Sequence, residues 1–307
     1  MFFTGLVTVL SLFLFSPTHG ATRAKLYPRI DRAERHDRVL IVAPHIDDET
    51  IGAAGYAFDA VANGAEVFVV FLTAGDCNRF SARILHKTFE PTASNYLAVG
   101  KTRIAEAHAA MKMLGLPDDH YFILGYPDRG LKTILDDRTA VVRSRGTWQR
   151  SVPYEEALSP GSPYRFENVM SDLEHVLSIA RPTTVIAPVP FDQHPDHAAA
   201  AVFTELAIED MRLDPTRLGY LVHNGRIATS LVRLPERALL PPARMRSYAW
   251  ATYPLTPAVQ KQKDSLLQTY KSQRPYISLL RNAFVRTNEL FFTYREQATA
   301  LPLAVNQ

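Results

Sequence analysis

Histidines and carboxylates gather in two short clusters of this chain, Pro44-His45-Ile46-Asp47-Asp48-Glu49 and His194-Pro195-Asp196-His197. His45 and Asp48 stand three apart, so in a strand-to-helix turn both can address one ion while Asp47 projects differently. With His197 they form a set of two imidazoles and one carboxylate, free of thiolate. That set suits zinc and tolerates ferrous iron, manganese or cobalt. It leaves positions for water and a substrate oxygen, which is the catalytic arrangement of a metal-dependent hydrolase. Asp47, one residue from a ligand, is the expected general base. His194, three residues before His197, is expected to stabilise an oxyanion or to protonate a leaving amine. Asp196 is expected to cap the following helix and to orient His194, and Glu49 to add negative charge to a first helical turn. Alone, an Asp-Asp-Glu run reads as a helix start and a His-x-x-His pair recurs by chance.

What joins the clusters is their position. Each follows a short β-branched apolar run, Val39-Leu40-Ile41-Val42 or Thr184-Val185-Ile186-Ala187. Such runs read as buried parallel strands, and open α/β sheets collect their sites at the carboxyl ends of strands. Strands are expected over 39–43, 67–72, 121–124, 184–187 and 220–222. Helices are expected over 50–63, along Ile104, Ala107, Met111 and Leu114, over 169–180, from Pro195 through Leu206, and over 257–270. Pro195 suits the first turn of its helix. Periodicity fails from Gly130 to Pro163, an excursion expected to lie over the site. The expected fold is a Rossmann-like three-layer α/β/α sandwich with a mostly parallel sheet. It forms one domain over 21–307, with its core at about 38–275 and a loose tail.

The 307 residues are 47% hydrophobic with a formal net charge of +3. Arg129, Arg138, Arg143, Arg145 and Arg150 are scattered through loops, which excludes the dense basic stripe of a nucleic-acid binder. Phe2 to Phe15 is almost wholly apolar and is followed by Ser16, Pro17 and small residues. It is too short for a membrane helix and reads as a signal peptide over 1–20 of an exported chain, with an uncleaved membrane anchor as the alternative. The single cysteine, Cys77, forbids an internal disulfide and reads as a passive thiol. Arg79 and His223 are further candidates for substrate contact, weighed against a solvated loop arginine and a surface histidine.

The first cluster resembles the Ala-His-Pro-Asp-Asp-Glu signature of the PIG-L/LmbE-like zinc-dependent de-N-acetylases, and His194-Pro195-Asp196-His197 matches their second signature. The likeness continues in Thr73-Ala74-Gly75-Asp76, in Arg103 with Glu106, in Gly125-Tyr126-Pro127-Asp128 and in Tyr270-Lys271-Ser272-Gln273. The resemblance implies zinc on His45, Asp48 and His197, Asp47 as base, His194 as oxyanion stabiliser or acid, and Arg103 and Asp128 facing substrate. It implies removal of an acetyl group from an N-acetylated amino sugar or glycoconjugate. Ile46 stands where the signature has proline, and residues 77–94 and 131–164 match no family pattern. The rival readings are a metal hydrolase of another ester or amide bond, and a carbohydrate-binding protein without turnover.

Overall fold

Five of the strands predicted from apolar runs form one parallel sheet, β1 (Arg38–Ala43), β2 (Glu66–Thr73), β3 (Tyr121–Tyr126), β4 (Thr184–Pro188) and β5 (Thr216–Tyr220). The computed structural model describes residues 27–225 and 232–294. The expected signal segment over 1–20 lies outside them. Val39–Ala43 of β1 are at most 1% exposed, so the central strand is covered on both faces, as its unbroken apolar run requires. With β6 (Trp250–Pro254) and β7 (Asn288–Thr293) at one edge, the strand order is β3-β2-β1-β4-β5-β7-β6. It reverses between β1 and β4, which pair in register Val39↔Thr184 and Ile41↔Ile186. That reversal is the switch point where open α/β sheets form their crevice.

Helix α1 (Asp48–Ala62) packs against α3 (Ala93–Leu114), α7 (Pro257–Leu267) and α8 (Arg274–Phe284). Helices α4 (Leu131–Asp136) and α5 (Phe166–Ala180) both pack against α6 (Pro195–Asp210). Right-handed crossovers place these groups on opposite faces of the sheet. Small residues let α1 sit close: a Cβ on Gly52 would lie 2.6 Å from the Tyr220 ring. Thr92 and Asn95 close a capping box at the start of α3, and Gly115 ends it at φ 88°.

Three parts depart from the expectation. β5 begins at Thr216 and ends at Tyr220, earlier than the apolar Tyr220-Leu221-Val222 suggested, because its first half is Thr-Arg-Leu-Gly. The packed core continues past residue 275. β6 (Trp250–Pro254) and β7 (Asn288–Thr293) add two antiparallel strands beside β5, and α8 lies between them in sequence. α2 (Arg79–His86) also forms where no helix was expected. The excursion after Gly130 holds α4 and a short antiparallel bridge, Ser151↔Pro163. It buries Val152, Tyr154 and Tyr164. Among the described residues no helix is long and apolar enough to cross a membrane.

Candidate active site

The turn leaving β1 delivers three acids and a histidine within five residues. His45 lies beside Asp48, its backbone N–H donating to Asp48 Oδ2 at 2.9 Å and its Nδ1 lying 3.0 Å from the same oxygen. Asp47 has φ 131° and ψ −22°, a backbone region costly for any residue but glycine. Glu49 does not serve the first turn as a solvated charge. It is 1% exposed, accepts the Asp47 N–H at 3.2 Å, and takes the hydroxyls of Thr50 and Tyr270.

The second cluster opens α6. The His194 imidazole caps the helix: its Nδ1 accepts the Asp196 N–H at 3.2 Å. The proton of a neutral His194 therefore resides on Nε2. Asp196 has a different task from the one expected. Its carboxylate accepts the backbone N–H groups of Arg129 at 2.5 Å and Leu131 at 3.1 Å, and lies 3.3 Å from His45 Nε2. It braces His45 and the β3–α4 turn; the side chain capping this helix is His194.

His197 is fully buried, with Nε2 3.1 Å from Asp48 Oδ2 and Nδ1 3.3 Å from Asp192 Oδ2. Neither ring nitrogen makes an aligned hydrogen bond. Asp48 Oδ2 thus stands between His45 and His197. Ligand atoms about one ion with bonds near 2 Å are roughly 3.3 Å apart, so each of these two spacings is compatible with a cation shared between Asp48 and that histidine. His45, His194 and His197 also present ring nitrogens within 4.8 Å of one another. The charges agree with the fit. Burial alone would lower both imidazoles, but Asp128, Asp196 and Asp48 raise His45 well above its usual range. Asp48 and Asp192 likewise raise His197 to about 9. Those protons hold places that a cation would take. Burial opposes ionisation of Asp48, yet His197 and His45 hold its carboxyl well below the ordinary range.

These groups open on a cavity of about 500 Å³ lined by Asp47, His194, Cys77, Phe80, Gln273 and Tyr276 among others. Burial and the neighbouring Asp48 push Asp47 up to about 8, against the pull of Arg103. Burial and the His45 and His197 rings push His194 down to about 2, which leaves it a neutral N–H donor. Burial and the nearby Asp128 push the Cys77 thiol up to about 12, so it lines the wall without the thiolate a nucleophile needs.

The four further candidates separate. Asp128 reaches the site: it lies 3.4 Å from His45 Nε2, accepts the Cys77 N–H at 2.8 Å, and is held at about 2, burial notwithstanding, by His45 and Arg103. His223 is at the cavity wall, 3.3 Å from Asp192 and 3.4 Å from the Tyr276 hydroxyl. Arg103 is 3% exposed and also lines the cavity; its Nη1 donates to the Gly75 carbonyl at 2.8 Å and its Nη2 to the Ile46 carbonyl at 2.5 Å, with Asp47 at 3.7 Å. It ties the β1 and β2 turns together behind Asp47. A side chain on Gly75, at φ 60°, would occupy the guanidinium's place. Arg79 faces outward, 3.8 Å from Glu90, and is absent from the cavity wall. The solvated reading holds for it.

Asp192 was not singled out in the sequence. It accepts the backbone N–H of His194 at 2.8 Å and those of Val222 and His223 at 3.0 Å, while facing the rings of both His197 and His223. A lone acid in Phe191-Asp192-Gln193 carries no spacing signal. The wall residues Gln273, whose Nε2 donates to the Ile46 carbonyl at 3.1 Å, and Tyr276 were equally silent.

A family model described as PIG-L: GlcNAc-PI de-N-acetylase matches residues 40–208. A 1D-myo-inositol 2-acetamido-2-deoxy-alpha-D-glucopyranoside deacetylase of Mycolicibacterium smegmatis is 31% identical over 174 residues, which is 56% of this chain and 53% of that protein. The chain spans about half the length of the curated relatives it matches. Among solved structures, the N,N'-diacetylchitobiose deacetylase of Pyrococcus horikoshii has a TM-score of 0.51 at 18% identity, covering 84% of each chain. The 4-carboxy-2-hydroxymuconate hydratase of Pseudomonas putida also has a TM-score of 0.51, at 15% identity, covering 86% of this chain and 98% of that one. At such identities the likeness is one of fold, and it extends to proteins named for different reactions.

Proposed function

Because the chain belongs to the PIG-L family, whose model spans both histidine clusters, we propose that it is a metal-dependent de-N-acetylase. It would release acetate from an N-acetylated amino sugar or glycoconjugate. The observation that carries the proposal is the placement of Asp48 Oδ2 between His45 Nδ1 at 3.0 Å and His197 Nε2 at 3.1 Å, at one end of a cavity that Asp47 and His194 also line. We take zinc as the ion, held by His45, Asp48 and His197; the nitrogen and oxygen donors would also accept ferrous iron, manganese or cobalt. When bound, such a cation polarises the amide carbonyl and lowers the pKa of a water molecule.

The chain's own groups account for the proton traffic. Asp47, buried at the cavity wall beside Asp48, takes a proton from the attacking water as general base. The neutral His194 donates its Nε2–H to the acetyl oxygen as negative charge develops there, its tautomer fixed by the Asp196 N–H on Nδ1. The C–N bond breaks, the proton held by Asp47 passes to the departing nitrogen, and acetate and a free amine leave. Arg103 holds the carbonyl of Ile46, beside Asp47, in place.

Export belongs to the same proposal and rests on the apolar run Phe2 to Phe15; N-terminal sequencing of the secreted protein tests it. The reaction is tested by acetate release from a panel of N-acetylglucosamine conjugates by the zinc-loaded chain, with Asp47→Ala as control. Release that disappears in the variant is the expected result. Bound metal without release across the panel would overturn the amino-sugar reading in favour of another ester or amide. Glycan binding that survives Asp47→Ala, without turnover in either protein, would favour a binding protein.

A further inference from the structure

The five loop arginines that look scattered in the sequence fall into two groups in the fold. Arg138 lies over the Phe166 ring, 4.3 Å from its centroid, and Arg150 donates to the Val141 carbonyl at 2.9 Å. The other three, Arg129, Arg143 and Arg145, line one cleft of about 270 Å³ with Gly130 and Thr133. All three are exposed, and among the described residues none forms an ion pair or a side-chain hydrogen bond. The carboxylates nearby in sequence are committed elsewhere. Asp136 pairs with Lys132 at 2.7 Å, Asp137 accepts from Thr139 and Ala140, and Asp128 and Asp196 face His45.

Arg129 also lines the catalytic cavity, so the two hollows adjoin at that residue. The loop carrying Arg143 and Arg145 is held in shape. Ser144 N–H donates to the Gln149 carbonyl at 2.8 Å, Thr147 N–H donates to Ser144 Oγ at 3.1 Å, and a Cβ on Gly146 would come 3.1 Å from the Tyr96 ring. Trp148 stands beside them, 67% exposed. Three guanidinium groups sharing a cleft repel one another. Their planar forks match a carboxylate or phosphate, which would remove the repulsion.

We infer that the cleft is a subsite for an oxyanion carried by the part of the substrate that projects from the catalytic cavity. The favoured substrates are then acidic glycoconjugates. This rests on the de-N-acetylase reading, and it concerns residues 129–145, at the start of the excursion beside the catalytic cavity.

Three glycosides of N-acetylglucosamine test it with the zinc-loaded full chain: the neutral methyl glycoside, the 1-phosphate and the carboxymethyl glycoside. kcat/KM is expected to be about tenfold or more higher for at least one anionic glycoside, and the advantage to shrink between about 0.05 and 0.5 M salt. Arg143→Gln and Arg145→Gln are expected to remove the advantage and leave the neutral glycoside unchanged. The anionic glycoside that loses more identifies the group the subsite prefers. Equal kcat/KM for neutral and anionic glycosides, or equal losses in the variants, would overturn the subsite. Calorimetric titration of the same glycosides into Asp47→Asn separates this inference from the reaction. Affinity for an anionic glycoside that Arg143→Gln abolishes would keep the subsite even if no acetate is ever released. Equal affinities for all three would remove the subsite whatever the turnover.

Discussion

Asp192 Oδ2 lies 3.3 Å from Nδ1 of His197, and both side chains are closed to solvent. A carboxylate there fixes the ring's orientation and leaves Nε2 free for a cation, the arrangement that buried metal-binding histidines commonly adopt. Three backbone N–H groups hold Asp192 in turn. Asp192→Asn is therefore expected to weaken metal affinity by about 10- to 100-fold, read by competition with a chromogenic chelator. Asp192→Ala should in addition lower stability by a few kcal/mol, on the order expected for buried donors left unpaired. Unchanged metal affinity in the Asn variant would remove the orienting role.

Asp47 couples strain with chemistry. Asp47→Asn should keep its metal stoichiometry and lose about 10² to 10⁴ in kcat, the usual share of a general base. Asp47→Gly accepts φ 131° without cost and removes a buried carboxylate. It should lose activity while its thermal midpoint rises, in line with the roughly 1–3 kcal/mol attached to such conformations. A drop in the midpoint of the glycine variant would show that the strain is not relieved there.

Asp76 is fully buried, its Oδ2 accepting the Tyr154 hydroxyl at 2.5 Å. Burial and the nearby Asp128 push it up to about 7. The folded chain then binds a proton that the unfolded chain has released between about pH 4 and pH 7, so this group makes stability fall as pH rises through that window. The upper bound is about 4 kcal/mol for about three pKa units. Asp76→Asn keeps an acceptor for Tyr154 and should gain stability relative to the parent from pH 4 to pH 7, seen in denaturant midpoints. Parallel pH profiles would contradict the assignment.

Lys263 and Glu289 form a buried pair at 2.6 Å. Lys263 also donates to the Ile51 carbonyl at 2.8 Å, and Glu289 accepts the N–H groups of Gly55 and Tyr56, both at 2.8 Å. Lys263→Met should destabilise the chain by about 3–5 kcal/mol through the charge it strands. Adding Glu289→Gln should recover part of that loss, as a double-mutant cycle would measure.

The same pair explains what the sequence concealed. β1, β2 and β4 were legible because their apolar, β-branched runs are buried on both faces. β7 reads Asn-Glu-Leu-Phe-Phe-Thr, and its buried Asn288 and Glu289 look like surface residues until Thr252, Lys263 and the backbone of α1 satisfy them. His45, Asp47, Asp48, His194 and His197 were legible by type and spacing at two strand ends, and the fold brings them together. Asp192 could not be, since its partners lie on two separate stretches of the chain, 194–197 and 222–223. Asp196 was noticed for the wrong neighbours, and Arg103 lines the cavity while also tying two turns together: local sequence does not say which backbone a polar side chain holds. The arginines showed the opposite failure, with a cluster in space that has no counterpart along the chain.

The cavity wall built from Gln273 and Tyr276 closes over a turn laid down more than two hundred residues earlier, with Gln273 bonded to Ile46 and Tyr270 to Glu49 and Thr50. During synthesis both histidine clusters have emerged once α6 is complete, long before that wall exists. A nascent chain of that length carries the donors for a cation in an open bay, with Glu49 still missing its tyrosine partner. Capture of a metal can thus precede the formation of a substrate pocket. The far wall of the cavity is the last part of the site that the growing chain acquires.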